Sequence, residues 1–111
     1  MVDASVAELA DRIRALLGAE GDIEEKAMFG SRAFLAGGHI LVGARKGGVL
    51  LVRVEEEHGS ALLTEPGVSR AVMGPRTMSA GWLDIAAEAI RDDTALMEWI
   101  DIAREDADRV G

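Results

Sequence analysis

Between Lys26 and Val54 the chain reads KAMFGSRAFLAGGHILVGARKGGVLLVRV. Apolar runs of strand length are cut by glycines at Gly30, Gly37-Gly38 and Gly47-Gly48. Runs this short do not make a packed helix, and glycine pairs supply the positive φ that two-residue hairpin turns demand. The stretch therefore predicts an antiparallel meander of three strands. EEKAMFG and RAFLAG form one strand bent by a bulge at Gly30-Ser31, HILVGAR the second and VLLVRV the third.

Helices are expected on both sides of this meander. Val6, Leu9, Ala10, Ile13, Leu16 and Leu17 fall on one helical stripe, which predicts a helix over about residues 4–19 with Ser5 and Glu8 as a capping box and Gly18 as its stop. Leu96, Trp99, Ile100, Ala103, Ala107 and Val110 repeat the pattern near the C-terminus, with Asp92 or Asp93 as cap. EEEHGSALLTEPG suits a short helix despite Gly59. VSRAVMG and TMSAGWLDI read as two short strands joined at Gly74-Pro75, and AAEAIRDD as a helical turn or loop. The expected fold class is α+β: one domain over residues 1–111, two layers, an antiparallel sheet packed by helices, in the order αβββαββα.

Charge follows the same division. The net charge is −8, yet residues 26–76 hold seven basic and four acidic side chains. The acidic excess lies in the flanking helices. An acidic chain repels phosphate, so duplex DNA at physiological salt is not an expected partner. Hydrophobic residues at 49% and charged residues at 29% are those of a globular domain. The lack of cysteine rules out a disulfide framework and a thiol nucleophile, and fits a reducing cytoplasm. The first residues lack the apolar core of a signal peptide, and no run approaches the roughly 20 apolar residues of a membrane span.

No catalytic, cofactor or metal residues stand out. GARKGG lacks the spacing of a phosphate loop, and no helix follows it. His39 and His58 lie on different elements without carboxylates at ligand spacing. Ser31 has no base or oxyanion donors arranged by sequence, and Glu55-Glu56-Glu57 and Asp92-Asp93 read as helix-start acids. The candidate contact residues for a partner or ligand are Arg32, Arg45, Lys46, Leu51, Arg53 and Arg76. On VLLVRV, Leu50, Val52 and Val54 share one face, while Val49, Leu51 and Arg53 share the other. Both helices can cover only one face, so the second is expected to keep exposed aliphatic side chains around Leu51 for a two-fold partner.

AMFGSRAFLAGG at 27–38, VLLVRV at 49–54 and GPRTMSAGWLDI at 74–85 resemble, in order and spacing, the N-terminal domain of the TfoX/Sxy family, named for a bacterial regulator of competence. The carrying positions are Met28, Phe29 and Gly30, then Leu51-Val52-Arg53-Val54, then the Gly81-Trp82 pair; Ser31 stands where the family has a second glycine. The family's C-terminal domain has no counterpart in this sequence. The resemblance implies a secretion-chaperone-like two-layer fold without an established enzymatic site. The expected function is a non-enzymatic cytoplasmic domain acting through contact with an unidentified protein, as a homodimer, in a regulatory setting. The alternative is a weak small-ligand or nucleic-acid module using the basic sheet residues.

Overall fold

The computed structural model describes residues 4–18, 21–28 and 30–110, the side chain of Val110 excepted. Its elements are α1 (Ala4–Leu17), β1 (Ile23–Met28), β2 (Ser31–Ala36), β3 (His39–Arg45), β4 (Val49–Arg53), α2 (Glu56–Leu62), β5 (Val68–Arg70), β6 (Val72–Met73), β7 (Arg76–Thr77), β8 (Trp82–Ile85) and α3 (Asp93–Val110). Short 3-10 turns occupy Lys46–Gly48 and Ala87–Ile90. The result is an α+β domain with an antiparallel six-stranded sheet in the order β1-β2-β3-β4-β8-β5, plus a small β6–β7 hairpin.

Glycine turns account for the meander. Gly37 and Gly38 both have positive φ and link β2 to β3, and Gly47 and Gly48 do the same between β3 and β4. The expectation of a single bent strand at Gly30 is corrected. Met28 pairs with Ser31 and Ile23 with Ala36, so the chain reverses there and makes a hairpin of two strands. Gly30, at φ +81, is a turn residue, not a bulge. The register does shift, but farther on, between Phe34 and Leu35 against β3. Phe29 lies outside the described residues. Ser5 sits inside α1, which begins at Ala4, so it is not the cap. At α3 the expected cap holds: the Thr94 amide donates to Asp92 Oδ1 at 2.7 Å.

Helices α1 and α3 cover one face of the sheet. Val6, Leu9, Ile13 and Leu17 from α1 meet Leu96, Ile100 and Ala103 from α3 over Phe34, Val42, Leu50, Val52, Leu83 and Ile85. Each fully buried aliphatic side chain here contributes about 1.5–3 kcal/mol by leaving water. Cross-strand partners share a face, so the opposite face carries Ala33, Gly43, Leu51 and Asp84 in one row.

That second face differs from expectation. Leu51 is only 6% exposed, and Ala33 and Leu35 are as well buried. The chain covers this face itself. Residues 71–80 leave the sheet between β5 and β8 and form the β6–β7 hairpin. Arg45 Nη2 donates to the Val72 carbonyl at 2.9 Å and ties the hairpin down. Leu62 and Leu63, at the end of α2, pack against the helix-side core.

Candidate functional site

The candidate residues separate by position along the strands. Arg45 and Val49 pair across one end of β3–β4, while Arg53 ends β4 roughly 13 Å away at about 3.4 Å per residue. Arg32 lies on β2 near the Arg45 end, opposite Ala44. Lys46 is exposed in the turn after β3, and Arg76 is exposed in the β6–β7 hairpin. No single basic patch forms from these six positions.

Three of them have structural work. Arg32 Nη1 lies 3.3 Å from Glu25 Oε2. Glu25 also accepts from Arg14 Nε at 2.9 Å and Nη2 at 2.8 Å, a bidentate pair from α1 to the edge of the sheet. The hydrogen bonds from Arg14 hold the Glu25 carboxyl below the ordinary glutamate range, against the opposing effect of its partial burial. Arg45 Nη1 donates to both oxygens of Asp84 at 2.8 and 2.9 Å. Leu51, expected at a partner surface, is buried beneath this arrangement and is not a surface residue.

Arg53 is different. It stands directly opposite Trp82 on β8, its guanidinium carbon 5.3 Å from the ring centroid. That distance is within the range of a cation–π contact. Among the described residues it has no ion pair. Both side chains line an open cleft of about 800 Å³ at the end of the sheet. Its other walls come from the β2–β3 turn with His39 and Ile40, from Glu55 and Glu56 before and within α2, and from Asp106 and Asp108 near the end of α3.

Two glycines, Gly59 and Gly81, build this end of the sheet by close approach. Val54 N donates to the Gly81 carbonyl at 2.9 Å, and a Cβ on Gly81 would lie 3.2 Å from the Val54 carbonyl oxygen. A Cβ on Gly59 would lie 1.7 Å from the Ala80 oxygen. Gly59, which weakens α2 as an isolated helix, is what lets α2 press against the segment leading to Trp82.

His58 and Asp106 were not among the expected site residues, and the structure joins them. Asp106 is 2% exposed. Its Oδ2 accepts from the Glu55 amide at 2.9 Å and lies 2.9 Å from His58 Nδ1, while Arg109 Nη1 is 3.9 Å from Oδ1. The available signal was an acid three residues beyond Ala103, on the apolar stripe of α3. Among the described residues, no three His, Asp or Glu side chains are placed to hold a metal ion. No helix of the described residues is long and apolar enough to cross a membrane.

An antiparallel meander under two helices, closed by a late strand with a buried glycine before a tryptophan, defines a TfoX-N-like α+β domain. The family model of the TfoX N-terminal domain matches residues 15–107, and the chain belongs to that family. Comparison with curated proteins and with solved structures brought no match.

Proposed function

We propose that this is a non-enzymatic, cytoplasmic domain of competence-regulator type that acts by protein contact at the Arg53–Trp82 cleft. The carrying observation is Arg53 itself, laid on Trp82 in an open cleft with no acid paired to it among the described residues. Arg32 and Arg45, by contrast, each face a carboxylate of the chain itself, Glu25 (shared with Arg14) and Asp84. The other titratable groups that the fold brings together bind elements to one another: His58–Asp106, at the cleft wall, links α2 to α3, and Arg14–Glu25–Arg32 links α1 to the sheet. That supports recognition over catalysis.

Charge complementarity sets the occupant. Arg53 on an aromatic face favours an acidic side chain beside an apolar one. The facing wall, with Glu56 and Asp108 exposed, favours a basic side chain in the same segment. A display library of random peptides selected on the full chain should enrich segments with both charges. Arg53→Glu should lose those peptides and regain binding when the peptide's acid is changed to lysine. Selection that gives no consensus, or the same consensus on the Arg53→Glu variant, would remove the reading. The nucleic-acid alternative has no comparable support, because the basic sheet residues are dispersed.

A further inference from the structure

The sheet ends at β1, and no strand lies beyond it among the described residues. Met28 and Ser31 close a two-residue turn, which makes them a hydrogen-bonded pair. By alternation Lys26 and Glu24 also bond to β2. Ile23, Glu25 and Ala27 therefore turn their N–H and C=O groups to the open edge. Open edges invite another strand, and charged side chains are the usual defence against an unwanted one.

The charges of β1 have a self-complementary order. An antiparallel pair of identical strands around a two-fold axis must be centred on one residue, since outward-facing groups must meet outward-facing groups. Centring on Glu24 sets Glu24 against its own copy, and centring on Lys26 does the same for lysine. Centring on Glu25 sets Glu24 against the partner's Lys26, and Lys26 against the partner's Glu24. Those two pairs fall at the non-hydrogen-bonded positions, where side chains come closest. Ile23 then opposes the partner's Ala27, and roughly six backbone hydrogen bonds close the edge.

We infer that two copies of this chain associate edge to edge through β1, centred on Glu25, forming one continuous sheet. The inference rests on the expectation that the chain is a homodimer, and relocates the contact from the Leu51 face to the edge. Within one chain Glu24 and Lys26 are only loosely paired, at 4.0 Å and with side chains 65% and 59% exposed, so both are available to re-pair. The two central Glu25 carboxylates do not meet as bare charges. Each is held by Arg14 and Arg32 of its own chain, which places four guanidinium groups around two carboxylates. A six-residue edge buries less than the ~1,600 Å² of a standard interface, so the association is weak.

Sedimentation equilibrium of the full chain, from ten to several hundred micromolar, tests the proposal. The parent should dimerise. Glu24→Lys and Lys26→Glu, each alone, put like charges at both pairs and should weaken the dimer by roughly tenfold or more. The double variant E24K/K26E should restore it, and an equimolar mixture of the two single variants should form a mixed dimer. Amide exchange at Ile23, Glu25 and Ala27 should slow as concentration rises. A parent that stays monomeric throughout would overturn both the pairing and the homodimer. A dimer that every variant retains would overturn the β1 contact alone and place the two-fold elsewhere.

Discussion

His58 Nδ1 lies 2.9 Å from Oδ2 of Asp106, and the same oxygen accepts the backbone N–H of Glu55. One buried carboxylate thus joins α3 to the start of α2, and it does so at the wall of the cleft. A buried acceptor serving two donors is costly to remove, because both donors lose their partner in a site that water reaches poorly.

Asp106→Ala should lower stability by about 1.5–3 kcal/mol, the usual loss when buried polar groups are left unpaired. Asp106→Asn keeps an acceptor oxygen and should cost less. Urea unfolding of the two variants beside the parent measures this. Equal stability of Asp106→Ala and parent would remove the clasp.

Gly59 and Gly30 separate steric from conformational need. Gly59→Ala places a methyl group 1.7 Å from the Ala80 carbonyl oxygen, which is backbone and cannot swing aside. A loss of about 3 kcal/mol or more is expected. Gly30 has open space around it but φ +81, so Gly30→Ala should cost only about 1 kcal/mol and Gly30→Val somewhat more. Thermal melts rank the pair, and the reverse order would contradict the close approach of α2.

The second face of the sheet gives a sharper case. Leu51→Glu would bury a carboxylate beside Asp84, its cross-strand partner. The variant should unfold or lose about 4 kcal/mol, rather than only lose a partner. Arg45→Ala should free the β6–β7 hairpin and leave Asp84 unpaired, with a loss of about 1–3 kcal/mol and faster amide exchange over residues 71–78. A folded, fully stable Leu51→Glu protein would show that this face is open after all.

Glu25 titrates with a definite sign. Its folded carboxyl is held below the ordinary value of 4.5 by Arg14. The stabilisation is therefore present above the unfolded value and is lost as pH falls through the lower folded value. Glu25→Gln should be less stable than the parent at neutral pH by about 0.5–1 kcal/mol. The difference should vanish on acidification, as denaturant melts at several acid pH values would record. A gap that persists undiminished in acid would assign the effect to packing.

Much of this fold was legible because local signals agreed. The α1 stripe, the glycine pairs at 37–38 and 47–48, and the Asp92 cap each express one short-range rule. The chain's two faces at β4 were also read correctly from alternation. What sequence order does not carry is which element comes back to cover a surface. Leu51 looked exposed because nothing local says that Arg45 reaches Asp84, the cross-strand partner of Leu51, and the Val72 carbonyl. Gly30 looked like a bulge because a hairpin and a bulge both use a glycine at positive φ, and only pairing across the turn separates them. Arg53 stood out from sequence as a basic group on an apolar face. Its stacking on Trp82 needed β8 to insert beside β4, an arrangement non-local by nearly thirty residues.

Duplex DNA offers the last test, because it weighs the dispersed basic residues against the acidic whole. Non-specific affinity grows with the number of phosphates neutralised together. Arg32 and Arg45 already face Glu25 and Asp84, so neither offers its charge without breaking a pair. Arg53 lies at the other end of the sheet from Arg45, beside a cleft wall that carries Glu55, Glu56 and Asp108. Lys46 and Arg76 remain exposed, and two cations against a net charge of −8 are too few to hold a duplex. In fluorescence anisotropy at about 150 mM salt the chain should bind duplex DNA no tighter than the micromolar range, and the double variant Lys46→Glu/Arg76→Glu should change nothing measurable. Sub-micromolar binding with a steep fall as salt rises would show that the cations act together, and would restore the nucleic-acid reading.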